Sequence, residues 1–257
     1  MSAFLLREAA PLSAAEWAKI DDMVVTVVKK NLVGRRLLAL VGPLGWGVDQ
    51  APRFGFGDDA GAFVATSADY LPLEEQSAEF VLTAKQMAMA AETPFGLDLG
   101  AVAIAATKVS RSEDMQILGG MMAAAGARAA LGDWGVLGDP FKAIATAQAN
   151  LLSAGFDGPY ALVLGPALYA ALASLWSEGR REFEAVEKLV ALGIHQSVIV
   201  PDGKALLVSP QAWNVDMVVG QDVVTAYVGN QGMDHRYRVF ETVALRVKQA
   251  GSICVLE

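Results

Sequence analysis

The sequence predicts an α+β fold with helices and strands segregated. Three observations carry this. Helical periodicities sit early in the chain, while strands crowd the segment after Met217. A turn-rich, β-prone stretch with no helical period fills 48–83. The regular βαβ alternation of a doubly wound sheet is missing.

The first helix is predicted over 14–31. Ser13 and Glu16 form a capping box, and Trp17, Ile20, Val24, Val27 and Val28 share one face. "RRLLALVGP" reads as a strand or extended segment ended by Gly42-Pro43. In 48–83, "FVATSADYLPLEEQSAEFVLT" offers two β-prone arms around a polar middle, a long hairpin. Such a hairpin covers itself poorly and suits packing on a neighbouring molecule. Asp98 is placed to cap a helix over 99–118. "GGMMAAAGARAALGDWG" has no clear period. "FKAIATAQANLLSAG", "PALYAALASLW" and "REFEAVEKLVALG" read as helices, and "YALVLG", "HQSVIVP" and "KALLVS" as strands. "MVVGQDVVTAYVG", "HRYRVFETVALRVK" and "GSICVLE" complete the strand-rich tail.

Composition narrows the function. With 20 basic and 28 acidic residues the net charge is −8, which disfavours nucleic acid or an anionic membrane as partner. Apolar residues make up 54% and charged residues 19%, against about 45–50% and about 25% in typical domains. The surplus points to subunit interfaces, although alanine inflates it. Cys254 is the only cysteine, so a reducing, cytoplasmic setting is expected. Residues 1–11 lack a signal-peptide core, and the uncharged run 158–177 is divided by Pro159, Gly165 and Pro166, so no membrane span is expected.

A search for chemistry returns little. "GPLGWG" has no Lys or Ser/Thr, and Pro43 removes a backbone donor, so it does not read as a phosphate loop. It reads as a tight turn pinned by a buried Trp46. His195 and His235 lie in no metal-binding spacing, and no metal site is expected. Cys254 reads as an inward strand residue. The pairs Asp21-Asp22, Asp58-Asp59, Glu74-Glu75 and Glu113-Asp114 read mostly as solvated faces or helix ends. Arg35-Arg36 and Arg180-Arg181 suit salt bridges, or contact with an acidic or C-terminal peptide group.

Several motifs recur in a distinctive order and spacing: Leu5-Arg7-Ala10-Pro11-Leu12, Trp17-Ile20-Asp21, Gly34-Arg35-Arg36 and Gly42-Pro43-Gly45-Trp46. "SEDMQILGG", "DGPYALVLGPALYAAL", "VGQDVVTAYVG" and the tail "FETVALRVKQAGSICVLE" follow them. Together they resemble the N-terminal pattern and the later segments of the encapsulin shell proteins (family 1, linocin-like). The resemblance implies a phage major-capsid-like fold of the Hong Kong 97 type. It divides the chain into a peripheral domain over 1–47, 83–138 and 216–257, an extended loop over 48–82 and an axial domain over 139–215.

It further implies a self-assembling icosahedral shell, most simply of 60 copies, forming a cytoplasmic nanocompartment. The shell would not be an enzyme. Cargo would be an enzyme such as a ferritin-like protein or a dye-decolourising peroxidase, captured by a short C-terminal peptide. The alternatives are a viral or prophage major capsid protein packaging DNA, and an enzyme with an unrecognised site. By resemblance, the peptide meets Val28, Leu32, Arg35, Asp222, Val223, Thr225 and Tyr227. Ala39 stands where many relatives place an acidic residue, which suits a less basic peptide. Arg35→Ala or a charge at Val223 would then lower cargo while shells still form. Glu178, Arg180 and Arg181 would line a fivefold pore. Lys85 lies where some relatives stack a flavin on Trp, so no flavin or other cofactor is expected.

Overall fold

The computed structural model describes residues 3–174, 176–177 and 180–257. Its helices are α1 (Ala14–Asn31), α2 (Gly34–Leu37), α3 (Ala84–Glu92), α4 (Gly100–Asp114), α5 (Gly120–Ala124), α6 (Asp139–Ser153), α7 (Pro166–Ser174) and α8 (Glu182–Glu187). A π-turn at Met115–Gly119 joins α4 to α5.

The strands fall into two larger sheets and two ribbons. In the first sheet β13 (Asp234–Val247) is central. β4 (Glu74–Leu82) flanks it on one side, while β11 (Val215–Val219) and β12 (Val224–Gln231) run end to end on the other. β1 (Ala39–Val41) adds in parallel to β11. The second sheet has the order β5 (Ala127–Ala129), β14 (Ile253–Leu256), β10 (Ala205–Val208), β6 (Ala161–Leu164), β9 (Ile194–Gln196). Among the described residues β2 (Gln50–Asp59) pairs only with β3 (Ala62–Pro72), and β7 (Trp176–Ser177) with β8 (Arg180–Arg181).

The first helix starts where its capping box places it: Ser13 N–H donates to Glu16 Oε2 at 2.8 Å. Its apolar face, with Trp17, Ile20, Val24 and Val28 buried, packs on α4 and the first sheet. A second core under α6, α7 and α8 covers one face of the other sheet. A third, holding Ile117, Leu118, Met217 and Val255, joins the two sheets.

The structure corrects several expectations. The first half of "RRLLALVGP" is a helical turn, because Leu38 N–H bonds back to Gly34 O at 3.1 Å and Leu37 is buried. The hairpin arms are β2 and β3, turning at Ala60-Gly61. β4 leaves the hairpin to pair with β13, since its buried residues Gln76, Phe80 and Leu82 need a core. α4 begins after Asp98, whose carboxylate accepts from Gly100 N–H at 2.8 Å, and the helical path continues to Ala124. α3, opened by a Thr83–Gln86 capping box, was unforeseen. The strands at 127–129 and 253–256 pair into the second sheet beside β10.

The "GPLGWG" turn runs against the end of β11. Leu44 N–H and Gly45 N–H donate to the carbonyls of Val219 and Gly220 at 3.0 and 2.8 Å. Those donors are committed, and a phosphate would have to displace them. A Cβ at Gly42 would lie 2.2 Å from Val219 O, so only glycine fits. Trp46 is not buried: it is 43% exposed and leans on Phe240 at 5.3 Å between ring centres.

Candidate functional site

The corner between α1 and α2 is built against the end of α4. Asp114 accepts from Val33 N–H at 3.0 Å and Gly34 N–H at 2.8 Å. Gly34 is required because a Cβ there would sit 2.8 Å from Ile117 Cγ2. A Cβ at Gly120 would likewise meet Leu245 Cδ2 at 2.8 Å. The motif "EDMQILGG" thus holds the corner in place and packs it tightly.

Arg35 leaves this corner pointing at carboxylates on three other elements. Its Nε donates to Glu113 at 2.9 Å, Nη1 to Asp222 at 2.7 Å and Nη2 to Glu241. Glu113 and Glu241 have fully buried side chains, while Asp222 is 55% exposed. Asp222 reaches Arg35 because residues 221–223 bulge out opposite Glu241, between the pairs Gly220–Thr242 and Val224–Phe240. One guanidinium cannot balance two buried carboxylates and Asp222. Burial, with Glu113 alongside, pushes the Glu241 carboxyl up to about 10, and burial raises Glu113 too. The buried Glu113–Glu241 pair thus holds a proton well above the usual carboxylate range, and Glu241 Oε1 meets no hydrogen-bond partner among the described residues.

This fixes a sign. Glu241 keeps its proton in the folded chain above its ordinary value of 4.5, so stability falls as pH rises from there towards about 10. Glu241→Gln carries the neutral form permanently. We expect the variant to melt a few degrees above wild type near pH 8 and to lose that advantage near pH 4, by differential scanning fluorimetry. Parallel melting curves across pH would reject the buried proton.

Beside the cluster lies a groove of about 280 Å³, walled by Val25, Val28, Lys29, Leu32, Arg35, Arg36, Asp222 and Val223. Five residues expected from the resemblance meet here: Val28, Leu32, Arg35, Asp222 and Val223. Three do not. Ala39 is exposed on β1, in register with Asp216 of β11. Thr225 is fully buried, and its carbonyl accepts from Arg7 Nε at 2.9 Å. Tyr227 is a core residue, its hydroxyl 3.0 Å from His235 Nδ1. Sequence reasoning missed Val25, Lys29 and Arg36, though Val25, Val28, Lys29 and Leu32 follow the spacing of one helical face. It read Glu113-Asp114, with the other acidic pairs, as a solvated face or a helix end; the pair does end α4 but is buried there, and Glu241 was overlooked.

Of the expected pore residues, Glu178 lies outside the described residues, and Arg180 and Arg181 form β8. His195 Nε2 lies 2.9 Å from Leu192 O, a local structural contact. Burial pushes the Cys254 thiol up to about 11, leaving it a poor nucleophile. Among the described residues no group of three metal-ligating side chains converges, and no helix is long and apolar enough to cross a membrane.

Residues 1–244 match the family model Linocin_M18, described as an encapsulating protein for peroxidase. The chain is 35% identical to the type 1 encapsulin shell protein EncA of Myxococcus xanthus, over 100% of this chain and 97% of that one. It is 33% identical to a diheme-cytochrome–encapsulin shell fusion protein of Kuenenia stuttgartiensis, over 96% of this chain and 74% of the fusion. A virus-like particle from Pyrococcus furiosus superposes with a TM-score of 0.82 at 18% identity, over 94% and 99% of the two chains. A structure of Mycobacterium phage Che8 does so with a TM-score of 0.62 at 16% identity, over 88% and 91%. Both structural likenesses speak for the phage-capsid-like α+β fold.

Proposed function

The chain belongs to the encapsulin family of shell proteins, a structural subunit and not an enzyme, and from that premise we propose that its groove captures cargo by a short peptide. The observation that carries this is the meeting of Val28, Leu32 and Val223 with the Arg35–Asp222 pair in one open groove. Small aliphatic side chains of a peptide fill the apolar wall, and the polar edge orients its backbone. The groove faces the interior of an icosahedral cytoplasmic shell, most simply of 60 copies, with β7–β8 at a pore. The cargo is a separate enzyme, of ferritin-like, peroxidase or cytochrome type, and the shell holds no cofactor of its own. A relative whose name records a cytochrome fused to the shell protein supports enclosure of redox enzymes. The phage likeness, at 16% identity, speaks for shared fold alone and does not favour DNA as content.

Val25→Asp and Val223→Asp test this. Val25 is 41% exposed on the groove rim, so a carboxylate there is tolerated by the fold. We expect hollow shells of normal size from which co-purified cargo has fallen by roughly tenfold or more, as for other central interface positions. Mass spectrometry of the particles reads it. Unchanged loading in both variants would place the cargo site elsewhere.

A further inference from the structure

From charge complementarity at the groove, we propose that the captured peptide pairs its aliphatic core with flanking acidic residues. This rests on the peptide-capture reading above and names the chemistry of the ligand. The groove adjoins a second, polar basin of about 240 Å³, and Arg36 lines both. Lys29 stands on the groove wall, and Lys30 and Arg111 on the basin wall. All four cations are exposed; Lys29, Lys30 and Arg111 form no ion pair among the described residues, while Arg36 faces Asp114 and donates its Nε to Leu32 O at 2.7 Å. The carboxylates on the same walls are already committed. Asp114 holds the Val33 and Gly34 N–H groups, and Asp222 is bound by Arg35. Each of the three Arg35 nitrogens already donates to a carboxylate within the chain. The charge left to read a ligand is positive, in a chain whose net charge is −8.

An apolar slot ending in exposed cations suits a peptide, because its aliphatic side chains need the slot and its carboxylates the rim. A nucleic acid uses only the rim. Ala39 removes an acidic side chain but stands away from the groove, so the preference lies in Lys29, Lys30, Arg36 and Arg111.

A fluorescent reporter with three C-terminal tags tests this. Each tag carries the same small aliphatic core, flanked by Asp/Glu, by Ser/Gly or by Lys/Arg. Each is co-expressed with the wild-type shell and with a Lys29→Glu/Arg111→Glu shell, and reporter per particle is measured. We expect the acid-flanked tag to load roughly five- to tenfold above the basic one in wild type, the ratio that two or three exposed ion pairs support. The double reversal should invert that order. If flanks make no difference, or the basic tag wins, while Val25→Asp still abolishes loading, the charge proposal fails and the groove reading stands. If no tag loads, and Val25→Asp leaves native cargo unchanged, the groove reading fails and takes this proposal with it. Nucleic acid bound by wild-type particles and lost in the double reversal, without tag preference, would also overturn it.

Discussion

Arg35→Ala is expected to yield little or no soluble shell. The substitution strips the cation that meets the charge of the fully buried, proton-sharing Glu113–Glu241 pair, the one ion-pair partner either has among the described residues. Breaking a buried charge pair by removing one partner costs about 3–5 kcal/mol, a large part of the stability of an ordinary domain. That corresponds to a fall in melting temperature of roughly 6–20 °C. The sequence reading expected this variant to lose cargo and keep its shells. The structure makes Arg35 first a structural keystone, since three of its nitrogens bind carboxylates on three different elements. A rescue separates the roles. Arg35→Ala combined with Glu113→Gln and Glu241→Gln removes the stranded charge, and shells should return. Cargo measured in the rescued particles reports any direct contact between Arg35 and the peptide. Normal yield and melting temperature in the single variant would refute the keystone role.

Shortening the β2–β3 hairpin should give folded subunits that do not close into particles. Among the described residues the ribbon pairs with no other strand, and Phe54, Phe56 and Tyr70 are 47%, 61% and 66% exposed along it. Exposed aromatic area of this kind is a contact waiting for a partner, and a second subunit is the partner a shell provides. The base of the ribbon belongs to the fold: Ala51 is buried against Leu73 and Val218, and Leu73 N–H bonds Asp49 O at 2.8 Å. Removing 53–69 and joining Pro52 to Tyr70 through Asn-Gly keeps that base and supplies a two-residue turn. We expect native-like circular dichroism with particles lost on size exclusion and in negative stain. Intact particles from the shortened chain would show that other faces suffice for assembly.

Where the sequence could be read, local chemistry was the reason. The Ser13–Glu16 box and the Trp17-to-Val28 face specify α1 without reference to the rest of the chain. Where it could not, the determinant was distant. The turn at Gly34–Leu37 follows from Asp114, 80 positions away along the chain from Gly34. β4 looks like a hairpin arm until β13, the strand that claims it, is known. The groove was half visible for the same reason. Its α1 wall follows helical spacing, whereas the Asp222 bulge depends on how β11 and β12 share one side of β13. Glu241 left one trace, a lone charge inside the apolar run "VFETVAL". Trp46 was misread because a large aromatic after a turn signals burial without saying whether its own chain provides the cover.

The position of β14 sets a clock on synthesis. Residues 253–256 lie between β5 and β10, inside the second sheet. Until residue 256 clears the ribosome, β10 presents an open edge and β5 has no neighbour. The core that joins the two sheets also lacks Ile253 and Val255, which belong to it. A nascent subunit is thus held short of the shape its neighbours recognise, although its hairpin emerges early.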